Sequence, residues 1–282
     1  MPKQFHGVIL MPSSAGAVIL PEYKKTLLFK NRDMAIEDHR DQIFYDIDCF
    51  GVRGVDNVTG EVGGLAIGVN RNGLAIANTH VRNTDDPSYH KLTEQLLMFA
   101  KDAEDSLSMT VEHLQRGKKY QWGNLILADE DSMLAIELAE SDHSIEWSER
   151  RVLRTSHHIM LDTEESLQSQ GNEYNYSVKR VERGYDLIRK VSTVSDVFAM
   201  LKDHGDGQGP ASLCRHKGEG SQTVTTMSYV IEVDYNSESG RPKIVFHVTR
   251  GNPCQSEYTA IPIIFPADDE IMNRAKQLYP FD

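Results

Sequence analysis

The period of the apolar positions changes several times along this chain and divides it into blocks of sheet and helix. Ala15–Leu20 is a run of small and β-branched residues, Pro21–Lys25 is turn material, and Thr26–Lys30 returns as a second apolar run. Together they predict a β-hairpin near the start. Asn72-Gly73, between Gly64–Val69 and Leu74–Ala77, predicts another, since an Asn-Gly pair tolerates the positive φ of a hairpin turn. In all, strands are expected at about 15–31, 43–50, 64–79, 123–147 and 151–157. Asp86-Pro87 reads as a cap and first-turn proline, followed by a helix whose apolar face is Leu92, Leu96, Phe99, Ala100, Ala103 and Leu107. Ser108 restarts a second helix that Gly117 ends. Beyond a polar loop at about 162–176, Val178, Val181, Tyr185 and Ile188 line a third helix, and Val194, Val197, Phe198 and Leu201 a fourth before Gly205. Hairpins at 221–250 and 257–264 return to sheet, and Ala267–Leu278 reads as a closing helix. Strands, then helices, then strands again predict an α+β fold of antiparallel sheets packed under helices.

Composition narrows the function. A chain of 282 residues with no evident linker or repeat is long enough for one large core. The net charge of −12 and the absence of a Lys/Arg-rich tract argue against a nucleic-acid partner. No apolar run reaches the roughly 18 residues expected of a membrane span. Pro12-Ser13-Ser14 interrupts the apolar start after Val8–Met11, so no secretory signal is read. Cys49, Cys214 and Cys254 cannot all pair and show no metal spacing, which makes a reducing cytoplasm the simplest setting. His157-His158 has no third ligand at metal spacing, and Gly205–Gly209 lacks the Lys-Ser/Thr of a phosphate loop. Neither a cofactor nor a metal is expected.

The candidate chemistry lies on the first hairpin, which places Ser14 at the head of one strand and Asn31-Arg32-Asp33 at the end of the next. Ser14 precedes Asn31 by seventeen positions. This pattern resembles the N-terminal nucleophile hydrolases, in the branch of penicillin-type acyl-CoA acyltransferases, bile-salt and penicillin V amidases and a dipeptidase group. There a nucleophile, usually Cys, is followed by a strand, a turn and Arg/Lys-Asn-x-Asp. The resemblance implies that Ser14 is the nucleophile, Lys30 the basic residue beside it, and Asp33 the carboxylate that holds its amine. Gly68–Asn78 resembles the Gly-x-Asn-x-x-Gly-Leu hairpin of that branch and implies Asn78 as an oxyanion donor. Thr155-Ser156-His157 stands where Thr-Asn-His or Thr-Asn-Ser is usual, implying Ser156 and His157 at the substrate. Ser177-x-x-Arg180 resembles a helix start whose Arg supports the nucleophile, and Cys214 and Gly251–Cys254 resemble the closing motifs.

The resemblance spans about residues 8 to 258 and implies a four-layer α-β-β-α sandwich. It also implies a propeptide of residues 1–13, removed by self-cleavage so that 14–282 is a single domain beginning at Ser14. The free α-amine, with an unperturbed pKa near 8, then serves as general base. The expected activity is hydrolysis or acyl transfer at a non-peptide or terminal C–N bond through an ester on Ser14. Its partner is a small-molecule acyl-amide or acyl-thioester substrate, and a homo-oligomer is left open. The alternative is a relative that does not process itself and binds an acylated small molecule without turning it over. Ser in place of Cys, and Ser156 in place of Asn, favour the alternative; Lys30, Asp33, Asn78 and Arg180 favour the enzyme.

Overall fold

A computed structural model of the chain describes residues 12–35, 41–55, 60–168, 171–219, 221–238 and 240–280. The first hairpin is β1 (Ser13–Leu20) and β2 (Lys25–Met34), joined by a single 3-10 turn at Pro21–Tyr23. Then come β3 (Ile43–Tyr45), β4 (Cys49–Val55), β5 (Val62–Asn70) and β6 (Ala75–Arg82), followed by helices α1 (Tyr89–Phe99) and α2 (Ala103–Gln115). Next are β7 (Tyr120–Ala128), β8 (Met133–Glu140), β9 (Asp142–Ser148) and β10 (Arg151–Arg154), and then α3 (Glu164–Gln168), α4 (Asn172–Ile188) and α5 (Val194–Leu201). The chain closes with β11 (Val224–Asp234), β12 (Lys243–Arg250), β13 (Thr259–Ile263) and α6 (Asp269–Leu278).

Among the described residues all strand pairs are antiparallel and form two sheets, one ordered β10-β1-β2-β11-β12-β13 and the other β3 through β9 in sequence. Ala15, Ala17, Leu28, Tyr229 and Ile231 on the inner face of the first sheet pack against Phe50, Ile67, Ala77 and Ile126 of the second. On its outer face Val18, Leu27 and Phe29 meet Val181 and Ile188 of α4 and Val197 and Leu201 of α5. The outer face of the second sheet, with Leu65, Ile76 and Leu125, is covered by Leu92 and Leu96 of α1 and Ala103 of α2. The order of layers is therefore helix, sheet, sheet, helix. Both faces of β1 and β2 are buried, which is why these strands read as continuous apolar runs instead of alternating ones.

Several expected boundaries shift, each for a local reason. The turn at Asn72-Gly73 forms, with Gly73 at φ +89°. The first helix is capped by Ser88, whose Oγ accepts from the His90 N–H at 3.2 Å, and not by Asp86. It stops after Phe99, which is left 69% exposed, because Asp102 caps a new helix by accepting the Asp105 N–H at 2.8 Å. The apolar periodicity runs through this break because α1 and α2 lie on the same sheet. Ser108 therefore sits inside α2 and does not start it. Gly117, at φ +81°, follows that helix as expected. β10 ends at Arg154, short of 157, and α4 begins at Asn172, inside the stretch expected to be loop.

Candidate active site

The pleat of the first hairpin sorts the candidate residues onto two sides of one sheet. Ser13 lies opposite Arg32, Ser14 opposite Asn31, and Ala15 opposite Lys30. Directly opposed residues in an antiparallel pair share a face. Asn31 donates through Nδ2 to the carbonyls of Leu201 and Leu213 at 3.0 and 2.8 Å, so it faces the α5 side, and Ser14 and Asp33 face with it. Ala15 belongs to the core between the sheets, so Lys30, Arg32 and Ser13 face that cleft. Ser14 and Lys30 were expected to act together, and the structure separates them across the thickness of the sheet. Seventeen positions bring Ser14 level with Asn31, but strand spacing alone does not select the face.

On the cleft side Ser13, Pro12, Lys30, Arg32, Ala66, His80, Tyr89 and His90 line a space of about 20 Å³, room for about one water. Lys30 reaches the second sheet and donates through Nζ to the Asn78 carbonyl at 2.5 Å and to Asn78 Oδ1 at 3.3 Å. Burial, reinforced by the charge of Arg32, lowers the Lys30 pKa to about 7. Burial also holds His90 well below the ordinary histidine value, aided by Lys30 and Arg32, so its imidazole is neutral at pH 7. Arg32 is balanced instead by Asp41 at 2.7 Å, a carboxylate that also accepts the hydroxyls of Tyr229 and Tyr279. The Asn78 amide was expected to donate to an oxyanion. Both its N–H bonds are engaged, to the Leu65 carbonyl at 2.8 Å and Thr93 Oγ1 at 2.9 Å, and its acceptor atoms hold Lys30.

On the helix side Asp33 accepts from Thr225 Oγ1 at 2.7 Å. Burial raises its pKa to about 6, a rise that the neighbouring Arg215 and Arg180 only partly oppose. Arg180 is fully buried on α4, donates to the Pro210 carbonyl at 2.8 Å, and is lowered to about 9 by burial and by Arg215. Arg215, which sequence reasoning missed as a site residue, binds Glu173 at 2.7 Å and Ser221 at 2.6 Å. Among the described residues Ser14 Oγ, Asp33 Oδ2, Arg180 Nε and Nη2, and Arg215 Nε and Nη1 have no hydrogen-bond partner. Unpaired buried polar atoms cost about 1–3 kcal/mol each. Their concentration around Asp33 marks a place where the fold accepts that cost.

Ser156 bridges to the strand end. Its Oγ accepts from the Ser13 N–H at 3.1 Å and lies 3.5 Å from the Ser13 carbonyl oxygen, so it grips the Ser13 backbone. His157 turns away from the cleft, with Nδ1 on Ser177 Oγ at 2.8 Å and a pKa lowered to about 4 by burial and then by Arg180. The segment carrying both residues is held by groups the sequence did not signal. Asn124 Nδ2 donates to the carbonyls of Thr155 and His157 at 3.0 and 3.2 Å. Glu137, fully buried, binds Arg154 Nε and accepts the N–H groups of Ile159, Met160 and Leu161, all at 2.9 Å.

Two facing antiparallel sheets between helical layers, with a hydroxyl at a strand head in the cleft, are the N-terminal nucleophile hydrolase sandwich. The chain belongs to the acyl-coenzyme A:6-aminopenicillanic acid acyl-transferase family, whose model matches residues 21–236. That stretch includes Lys30, Asp33, Asn78, Ser156, His157 and Arg180, but neither Ser13 nor Ser14. Membership makes the chain an enzyme of the acyl-transferase kind. Its fold is similar to that of a point mutant of the conjugated bile acid hydrolase from Clostridium perfringens, with a TM-score of 0.52 at 10% identity over 89% of this chain and 92% of that one. Penicillin V acylase from Agrobacterium tumefaciens aligns at 0.46 and 12% identity, over 83% and 82%. The Caenorhabditis elegans N-acylethanolamine-hydrolyzing acid amidase ortholog aligns at 0.44 and 9%, over 77% and 92%. No curated protein matches by sequence. Among the described residues no helix is long and apolar enough to cross a membrane.

Proposed function

We propose that the chain hydrolyses or transfers the acyl group of a small acyl amide or acyl thioester through an ester on Ser13, after cleavage of its own Pro12–Ser13 bond. The observation that carries this reading is that Ser13, not Ser14, shares the cleft face with Lys30. The propeptide boundary moves accordingly from 13 to 12. The bond in question is also held at both ends. The Pro12 carbonyl oxygen accepts the Asp33 N–H at 3.1 Å, a donor placed where negative charge develops when Ser13 Oγ attacks that carbonyl carbon. Ser156 Oγ accepts from the Ser13 nitrogen, which takes up the proton lost by Ser13 Oγ as the Oγ–C bond forms and the C–N bond breaks. Water then hydrolyses the ester, releasing the segment that ends in Pro12 and freeing the Ser13 hydroxyl and α-amine.

In the mature site the α-amine takes the Ser13 hydroxyl proton, Oγ attacks the acyl carbon, and the departing amine or thiol leaves protonated. Water or an amine acceptor then removes the acyl group. Asp33 and Arg180 set the charge around that amine, Lys30 supplies positive charge in the cleft, and Asn78 positions Lys30. A second reading is favoured by the depressed pKa of Lys30, which makes its amine a base for Ser13 in an uncut chain at neutral pH. A cytoplasmic setting goes with either reading.

The pH profile tests the assignment. Asp33, raised to about 6, loses its negative charge as pH falls through that value. With a panel of acyl amides, kcat/KM is expected to fall first as the α-amine is protonated and to fall further below about pH 6 as Asp33 is protonated; Asp33→Asn is expected to be slow and to lack the second step. An Asp33→Asn enzyme with wild-type rate and the same second step would remove Asp33 from the site.

A further inference from the structure

A second cluster of reactive side chains lies beside the site, outside the machinery described above. His204 follows α5, Cys214 and His216 flank Arg215, and Cys254 lies in the turn after β12. Their ligand atoms all lie within 4.8 Å of one another. His204 Nε2 is 3.1 Å from His216 Nε2, which is itself 3.7 Å from Cys214 Sγ and 3.5 Å from Cys254 Sγ. A tetrahedron with Zn–N of about 2.05 Å and Zn–S of about 2.3 Å has N···N edges near 3.3 Å and N···S edges near 3.6 Å. These three separations lie close to the corresponding edges, and the remaining pairs lie within 4.8 Å. No regular spacing along the chain predicts the cluster, because its four members come from three separate loop segments joined only by the fold.

We propose that His204, Cys214, His216 and Cys254 form a structural zinc site. Two thiolates and two imidazoles saturate a tetrahedral zinc ion and leave no open position for substrate, so the role is to fix the chain and not to perform chemistry. Two donors are directed at the Cys214 sulfur. Asn252 Nδ2 approaches Cys214 Sγ at 3.6 Å and donates to the Arg215 carbonyl at 2.8 Å, and the Cys254 backbone N–H is directed to the same sulfur. Hydrogen bonds of this kind orient and stabilise metal-bound sulfur. The site would tie the loop carrying Arg215 to the turn after β12. Arg215 lies between two ligands and bears on Asp33, so the metal would hold one wall of the helix-side pocket in place.

The test uses the full chain, purified without chelator, with metal measured by inductively coupled plasma mass spectrometry. One zinc per chain is expected, with near-complete loss in Cys254→Ser and in His204→Ala; the latter residue is only half-buried, so its replacement leaves the core intact. Cobalt substitution should give the thiolate charge-transfer and visible bands of a tetrahedral S₂N₂ centre, and chelation should lower the wild-type Tm but not that of the variants. The proposal is overturned if the protein carries no zinc and takes up no cobalt. It is equally overturned if zinc content is unchanged in both variants, or if non-reducing peptide mapping finds Cys214 and Cys254 quantitatively joined as a disulfide.

Discussion

Ser13→Ala will abolish both self-cleavage and turnover, whereas Ser14→Ala will keep most of each. Loss of a covalent nucleophile costs on the order of 10⁵–10⁶ in kcat in enzymes whose catalytic residues act as a unit, a loss that assays of hydrolysis on one acyl-amide substrate can read directly. The contrast follows from the pleat. Ser13 shares the cleft with Lys30, while Ser14 is turned with Asn31 toward the helical layer. Ser14 Oγ is buried without a partner, so truncation to Ala removes an unsatisfied hydroxyl and should leave stability unchanged or slightly raised. Ser13→Cys should retain cleavage, because a thiol is a better nucleophile at neutral pH than a hydroxyl. If Ser14→Ala is the inactive variant and Ser13→Ala turns over normally, the residue count along the hairpin outweighs the pleat.

Glu137→Ala will destabilise the fold by about 3–5 kcal/mol, measured as a shift in the urea midpoint at constant m. The carboxylate is completely buried against Arg154 and accepts three consecutive backbone N–H groups. Removing it leaves a buried guanidinium short of one counter-charge and three donors empty. Arg154 also binds Glu146, so part of the charge balance survives the change. The same pair gives a pH signature. Burial pushes the Glu137 pKa up, but Arg154 and the three N–H donors outweigh it and hold it below the usual value. Its contribution is then fully present above the unfolded-state pKa of about 4.3, and is lost as pH falls through the lower folded value. Glu137→Gln should flatten that acid limb of the stability curve. An unchanged curve in Glu137→Gln would mean that the pair does not organise the 155–161 segment.

Much of the fold was legible in local pattern, because the strands of the first hairpin and the faces of the helices are decided by nearby residues. The two continuous apolar runs identify β1 and β2, and the level pairing of Ser14 with Asn31 follows from hairpin length. The face on which each hydroxyl emerges was not legible. A slip of one residue inverts it, and only pairing with β10 and β11 and packing against α5 decide it. The helix break at Asp102 was hidden for a related reason, since both helices bury the same stripe. Asn78 was singled out by its hairpin motif, yet the partners that occupy its amide, Leu65 and Thr93, come from other elements. Glu137, Asn124 and Arg215 act through contacts with residues distant in sequence, and no periodicity or spacing marks such residues.

Self-cleavage at Pro12–Ser13 would make Ser13 the first residue of the working enzyme. Intact mass spectrometry of freshly expressed protein, followed through incubation near pH 7 and paired with N-terminal peptide mapping, tests it most directly. The expected result is conversion to a species that has lost Met1–Pro12 and begins at Ser13, with conversion absent in Ser13→Ala. A product beginning at Ser14 would contradict the cleft assignment. A mass that stays full-length while the protein hydrolyses acyl amides would contradict self-cleavage and leave Lys30 as the base. A full-length mass without turnover would contradict the whole catalytic reading in favour of a protein that binds an acylated small molecule.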